Sequence, residues 1–588
     1  MERKRSRVTP ENYTRAIISL SRRCSSTSVF PGNNYVDMGD WMLLDRNLLN
    51  LPRREEQAIP FASDAGQTHD LVVVYNSGEG KWDVQGYSQE EHENFYAATT
   101  VPEAGLGQLV FIRGFISPSW VSTIGSKYNI DPEFFRRHME YLSASVDRHA
   151  YSFPSLPSSS NNILRLCVST LLHRDGFGGQ DLQSQRSDQS KELGIYKIQQ
   201  LGSTKVRCGD SLVREYSTLC SCFSVIEQWI SLCVTKTDQG WAVIVWMDQG
   251  RPLEKSPPGP WTSHIESKAT ALPIIQHHHK MAFRTTTNRL DPNANSSVEF
   301  QQSTAILPLQ YDTLVGLVDL SRRAAQDPLS MCIPLFAHAA FSEVQFLNLM
   351  ESRIRMQIDA IAEGVSADAL GTFQYFSNIL DRHAQQLKES TRSFSRLINQ
   401  SNQRSNGVRA ESPMPRSAVP PSIGLRRQTS ETETARNIGI GSRNFENSFA
   451  AKNLWEDYEQ LHLRCIELSK MCTQGINLAM NKAAIEESRK AIEQSERLKK
   501  LTLLATFFIP LTFSSSLFGM NVDLLGQNGV RFWWFFVLCV PITLSAYVVY
   551  LWDFQLLKRW WVRFWKGCRC VRRDKTAKRS DKDPSHNV

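Results

Sequence analysis

Near the C-terminal end of the chain, Gly519-Met520-Asn521 closes one uncharged run of residues, and a second run begins after a short polar loop. Gly519 offers a bare backbone carbonyl and Asn521 a side-chain amide, both neutral oxygens. Mg2+ gives up its waters reluctantly, so a ring of amide oxygens can hydrogen-bond the hydrated ion without stripping it. Neutral ligands also bind weakly enough to release an ion onward. Along the preceding run, Leu501, Ala505, Ile509, Thr512, Ser516 and Gly519 fall on one helical face that ends in two hydroxyls and a glycine. The opposite face carries Leu503, Phe507, Leu511 and Phe518, which suits packing or lipid. Two helices of one copy have no room for a pathway between them, whereas several copies could enclose a narrow pore. Taken alone, the tripeptide reads equally well as a glycine helix cap followed by a turn.

The elements that must position these residues are legible in charge and hydropathy. Residues 501–520 and 532–552 are nearly uncharged, each about 20 residues long and sufficient to cross ~30 Å of hydrocarbon. Arg489, Lys490, Arg497, Lys499 and Lys500 precede the first; Lys558, Arg559, Arg563, Lys566, Arg569, Arg572 and Arg573 follow the second. The loop between them, 521–531, carries only Asp523 and Arg531. Basic residues prefer the cytoplasmic side, which puts both termini inside and the loop outside. Trp533, Trp534, Tyr550 and Trp552 suit the interfaces of the second span, and Trp560, Trp561 and Trp565 continue into a basic tail, 553–588, expected on the inner membrane surface. The net charge of +8 over 588 residues owes much to that tail, so it points to membrane rather than nucleic acid. With 41% hydrophobic and 21% charged residues, the chain as a whole is too polar for a polytopic membrane protein, so any span is a local feature.

Residues 1–61 read as loosely ordered and 62–334 as an α/β domain. Strands are predicted at 71–75, 108–115, 162–172, 221–236 and 240–249, and helices over 119–128 and after Asp131-Pro132, an N-cap followed by a first-turn proline. The stretch 177–192 reads as a polar insertion. A helical arm is expected over 335–400 and a disordered insertion, rich in Ser, Pro, Arg and Asn, over 401–450. Within that insertion Arg426-Arg427-Gln428-Thr429 has the form of a basophilic kinase site. A stalk helix over 451–500 follows, where Leu454, Tyr458, Leu461, Cys465, Leu468 and Cys472 alternate steps of four and three, a coiled-coil packing seam. A helix from Leu454 to Phe518 would be ~95 Å long at 1.5 Å per residue.

The sequence "LTLLATFFIPLTFSSSLFGMN", with Pro510 inside the helix, followed by a short loop and a second span, resembles the CorA family of divalent-cation channels. The resemblance covers roughly 453–552; "GFISPSWVSTIGSKYNIDPEFFRRH" is similar to the strand-helix element of the family's cytosolic domain and looks like the large fungal members. It implies a homopentamer with an α/β cytosolic domain, a long stalk helix and two C-terminal transmembrane helices. It further implies that Gly519, Met520 and Asn521 form the outer selectivity ring, that Ile509 and Thr512 are constrictions, and that Leu501 is the inner hydrophobic gate. The family closes its pore through internal Mg2+ bound by stalk acids. The matching region here offers Glu486, Glu487 and Glu493, while one family acid aligns with Ala484 and so is missing. The loop "VDLLGQNGVR" also lacks the family's acidic-Pro cluster, which weakens cation attraction to the mouth.

Other chemistry is thinly represented. Gln276 to Lys280, "QHHHK", could bind zinc or nickel, but three consecutive histidines cannot all face one ion, and a solvated loop fits better. Cysteine pairs at Cys220/Cys222 and Cys568/Cys570 lack partners at zinc-site spacing. No enzyme motif is present. The expectation is passive transport of Mg2+, or a related divalent cation such as zinc, with Mg2+ also as a regulatory ion; the partners are copies of the same chain, lipid and divalent cations. A membrane-anchored scaffold with a vestigial pore is the reading from another class. A plasma membrane is the default location, with vacuolar and inner mitochondrial membranes as alternatives.

Overall fold

A computed structural model of the chain describes residues 8–22, 33–48, 70–77, 82–98, 107–140, 161–174, 181–201, 206–236, 240–262, 269–275, 328–363, 369–410 and 431–519, with short helical pieces between 533 and 548. The chain divides into two units, Met1–Ala479 and Met480–Val588.

Helices α1 (Pro10–Arg22) and α2 (Asn33–Leu48) open the first unit, so the expectation of a loosely ordered 1–61 is corrected for these segments. Tyr13, Ile17 and Ile18 of α1 and Met38, Trp41 and Met42 of α2 are buried. α1 is strongly amphipathic, with Tyr13, Ile17 and Ile18 on its buried side, whereas α2 shows almost no helical period and docks through a few buried apolar residues.

Next come β1 (Val72–Ser77), β2 (Trp82–Tyr87), α3 (His92–Ala98), β3 (Gly107–Arg113), α4 (Pro118–Tyr128), α5 (Pro132–His138), β4 (Ile163–His173) and α6 (Leu182–Ile195). They are followed by β5 (Glu215–Thr218), β6 (Phe223–Lys236), β7 (Trp241–Met247) and β8 (Thr270–Ala271). All eight strands join one sheet in the order β2-β1-β3-β7-β6-β4-β8, with β5 paired to β6. β3 and β7 run parallel, and the other pairs are antiparallel. Side chains alternate across a strand, so each strand feeds two cores. Val72, Val74, Val110, Ile112, Ala242, Ile244 and Trp246 face the layer holding α1, α2, α4 and α5. Val73, Tyr75, Leu109, Phe111, Val243 and Val245 face the other core, which belongs to the long helices. Because both faces are covered, the strands read as continuous apolar runs.

The caps follow the sequence. Asp131 Oδ1 accepts from Glu133 N at 2.9 Å, with Pro132 opening α5, and α4 ends at Asn129 in the left-handed region (φ 50°). The stretch read as a polar insertion at 177–192 is corrected, because it largely forms α6. Asp181 caps it, accepting from Ser184 N at 3.1 Å, and its buried side is Arg186, Gln189 and Leu193. Two polar residues at the core-facing positions conceal the helical period.

Three long helices complete the described chain: α7 (Pro328–Glu363), α8 (Ala369–Ala410) and α9 (Glu431–Gly519). Helix therefore enters both ends of the 401–450 stretch expected to be disordered, because no proline interrupts the chain between the start of α8 and Pro413. Residues 411–430, including the Arg426 to Thr429 site, lie outside the described residues. Every member of the Leu454 to Cys472 seam is buried. Tyr458 donates its hydroxyl to Phe336 O (2.9 Å) on α7, and the ring of Phe336 lies 4.4 Å from that of Phe394 on α8.

The seam predicts a sharp asymmetry. Leu461→Ala, at 7% exposure, should cost about 2–4 kcal/mol. Leu463→Ala, at 53% exposure, should change stability by less than about 0.5 kcal/mol. Urea unfolding of the detergent-solubilised chain, followed by tryptophan fluorescence, checks both.

Candidate functional site

The sequence-predicted pore residues lie in the last turns of α9, within the second unit. At 100° per residue, Leu501, Ala505, Ile509, Thr512 and Ser516 span an arc of about 80°. Leu501 and Ile509 are each 67% exposed. Thr512 and Ser516 are exposed as well, and Ala505 is half-buried. On the other side of the helix, Ser514 is fully buried, while Thr506 and Pro510 are half-buried. The face read as pore-lining thus points away from the covered stripe at Thr506, Pro510 and Ser514, while Leu503 and Phe507 beside Ser514 are exposed.

Hydroxyls along this segment bond back to the preceding turn, as they do where no external partner competes. Thr502 donates to Leu498 O (2.8 Å), Thr506 to Thr502 O (2.8 Å) and Thr512 to Phe508 O (2.7 Å). With its proton spent, Thr512 Oγ1 turns only lone pairs outward. Pro510 has no N–H, so the Thr506 carbonyl loses its helical partner; Ser514 donates to Pro510 O at 2.9 Å. Gly519 is the last helical residue; Met520 and Asn521 lie outside the described residues, as do the loop 521–531, the basic tail and Gln276 to Lys280. Cys539 is the buried member of the helical pieces between 533 and 548. Among the described residues, no helix is long and apolar enough to cross a membrane; both uncharged runs, 501–520 and 532–552, lie partly beyond them.

Glu486, Glu487 and Glu493 are exposed on α9. Glu486 lies 3.5 Å from Lys490 and Glu493 3.7 Å from Arg489, both one turn away. Such solvated pairs contribute about 0.3–0.5 kcal/mol each. Among the described residues, no cluster of three or more His, Cys, Asp or Glu side chains forms a metal site.

The first unit holds two buried ionic groups that sequence reasoning does not find. In one, His383 of α8 lies between Glu343 of α7 (Nδ1 to Oε1, 3.0 Å) and Glu227 of β6 (Nε2 to Oε1, 3.3 Å), and its ring stacks on Phe346. Arg382 also pairs with Glu227. Burial opposes the proton on His383, but Glu343 and Glu227 outweigh it and raise the imidazole to about 10. Glu227 is held well below the usual carboxylate range: burial works against that, and His383 and Arg382 prevail. In the other group, Arg214 forks onto Asp248 (2.7 and 2.6 Å), while His138 Nε2 stands 3.1 Å from the same carboxylate and Nδ1 2.8 Å from Ser231 Oγ. Here burial dominates and pushes His138 down to about 4 despite Asp248. Ser231, His138 and Asp248 are in contact, but at 2%, 0% and 0% exposure no substrate reaches the hydroxyl. The signal available in the sequence was a lone acid within an apolar run, Glu227 in "SVIEQWISL" and Asp248 after "AVIVWM", since a buried acid demands a cation.

The two histidines set opposite pH limits. His383 is raised above its unfolded value of about 6.5, so its stabilisation is complete below that pH and is lost as pH rises toward 10. His138 is lowered, so the unfolded chain takes up that proton first and stability falls from pH 6.5 toward 4. The thermal midpoint of the first unit's transition should therefore peak near pH 6.5. His383→Gln should flatten the alkaline limb and cost about 3–5 kcal/mol, because two carboxylates then share one arginine. Scanning calorimetry across pH reads both effects.

Comparison with known proteins bears on residues 358–554, which match the family model described as CorA-like Mg2+ transporter protein. Two Saccharomyces cerevisiae proteins align over shorter stretches. Magnesium transporter ALR2 is 38% identical over 64 residues, 11% of this chain and 8% of its own length. Magnesium transporter ALR1 is 40% identical over 52 residues, 9% of this chain and 6% of its own length. The aligned stretches thus span under a tenth of either relative. The CorA magnesium transporter of Methanocaldococcus jannaschii superposes over 82% of this chain and 96% of its own at a TM-score of 0.32 and 9% identity, too low to carry an argument. The match over 358–554, with the shorter alignments to the two yeast transporters, shows that this third of the chain is similar to CorA-like Mg2+ transporters.

Proposed function

We propose that this chain conducts Mg2+, or a closely related divalent cation, passively across a membrane through a pore built from several copies, five by family precedent. Runs 501–520 and 532–552 are the two spans, and both termini are cytoplasmic. The carrying observation is the sidedness of the helix ahead of Gly519. Along the arc from Leu501 to Ser516 only Ala505 is half-buried, whereas the opposite side carries the narrow covered stripe Thr506, Pro510 and Ser514, flanked by exposed Leu503 and Phe507.

In an assembly that arc becomes a lining. Thr512 supplies an acceptor oxygen whose proton is already used, which suits the outward-pointing hydrogens of a hydrated cation. Ile509 and Leu501 add apolar constrictions, Leu501 as the inner gate. Gly519, Met520 and Asn521 form the outer ring, where neutral oxygens hold the ion's waters without displacing them. Packing between copies is supported by Leu478, Ile485 and Ile492, exposed apolar residues at seven-residue steps on α9. Glu486, Glu487 and Glu493 are the acids that would take a regulatory Mg2+, in competition with Lys490 and Arg489.

Mg2+ uptake into proteoliposomes tests the proposal. Asn521→Ala should reduce uptake to background while the oligomer survives cross-linking, and zinc should compete weakly against the intact protein. Background flux from both forms would reject the conducting pore and favour the scaffold reading.

A further inference from the structure

The parallel pair β3 and β7 ends in a small solvent-open cleft of about 20 Å³, lined by Asp70, Arg113, Gly209, Gly250 and Arg251 among others. Arg113 is the last residue of β3, in register with Met247 at the end of β7, and the chain leaving β7 supplies Gly250 and Arg251. In open parallel α/β sheets the crevice beyond the carboxyl ends of the strands is the common place for a ligand, and here β3 and β7 form such a parallel pair within an otherwise antiparallel sheet.

Arg113 is the unusual group. It is 7% exposed, yet among the described residues no carboxylate forms an ion pair with it. Its hydrogen bond is a long one, Nη1 to Asp70 O at 3.4 Å, and its Nε is buried with no partner. Buried guanidinium groups are almost always paired, because an uncompensated charge out of water is costly. Burial accordingly pulls its pKa below the ordinary arginine range, with Asp70 opposing.

Arg251 reaches the same cleft and is only loosely tied, Nη1 to Asp210 Oδ1 at 3.5 Å. Asp210 spends its other oxygen on the Arg207 N–H at 2.8 Å. Gly209, with φ +88°, lines the cleft beside Arg251, and a Cβ there would make ordinary contact with Arg251 Nε at 3.7 Å. Gly250 packs so closely on Gly209 O that a Cβ would collide with it.

We propose that this cleft is a binding site for a small oxyanion, a single phosphate group, held between Arg113 and Arg251. Planar guanidinium groups pair with such oxygens in a two-pronged geometry. Asp70 and Asp210 balance the two arginines in formal charge, which favours one phosphate over a polyphosphate chain. The phosphate could be free or carried on a nucleoside monophosphate, and the two sources are separable by experiment.

The test uses the full chain in detergent, titrated with inorganic phosphate or a nucleoside monophosphate at constant ionic strength, with chloride as control. Near tenfold saturation, phosphate should raise the unfolding midpoint by roughly 2 °C and broaden its 31P resonance. Arg113→Gln and Arg251→Gln should each weaken that response about tenfold, while Lys191→Gln, at an exposed i,i+3 pair, should leave it unchanged. Without phosphate, Arg113→Gln should be no less stable than the parent, since it removes an unpaired buried charge. Stronger binding of the monophosphate would assign a nucleotide as source, and equal binding free phosphate. No response in the parent, or the same response in all variants, overturns the proposal.

Discussion

Glu227 sits in the middle of β6 with its carboxylate turned toward the long helices, where Arg382 and His383 of α8 close on it and His383 reaches on to Glu343 of α7. Sheet, α7 and α8 are therefore joined by charge as well as by apolar contact. The four groups balance only if His383 keeps its proton, two carboxylates against an arginine and an imidazolium. A buried group of this kind is poor evidence of added stability but strong evidence of specified position, because a shifted helix would leave a bare charge in the core. The seam of α9 then packs on helices already held in place, with Tyr458 bonded to Phe336 and Cys465 Sγ 3.1 Å from Leu380 O.

Parts of this architecture could be read directly from the residues. β1, β3, β4, β6 and β7 stand out as apolar runs where both faces are covered, and Asp131-Pro132 marks the start of α5 because cap chemistry is local. The seam from Leu454 to Cys472 is legible for the same reason: its period belongs to one helix. What escaped reading depends on distant partners. α6 turns Arg186 and Gln189 inward, and they look like solvent residues until Thr218 and Leu219 supply carbonyls for Arg186. Glu227 and His383 lie far apart in the chain, and nothing local in either segment names the other. The helices near the N-terminus anchor through a handful of side chains, among them Tyr13, which donates to Ile130 O at 2.8 Å.

The candidate pore segment was legible in a different way. Its residue types, its proline and the Gly519-Met520-Asn521 ending came from sequence, whereas the covered side at Ser514 came from structure. A helix that hides a serine and leaves Leu501 and Ile509 open has reversed the usual arrangement of a soluble helix. Under the proposed function its exposed arc faces other copies of the chain, and the small and hydroxyl side chains along it enclose a path for a hydrated cation.

The most direct test of that claim is cysteine accessibility along the helix, with Mg2+ flux measured before and after a water-soluble thiol reagent. Single substitutions at Ala505, Ile509, Thr512 and Ser516 should be blocked, and those at Leu503, Phe507 and Ser514 should be spared. Block that follows Ser514 and Phe507, or that shows no helical period, would contradict a pore lined by this face.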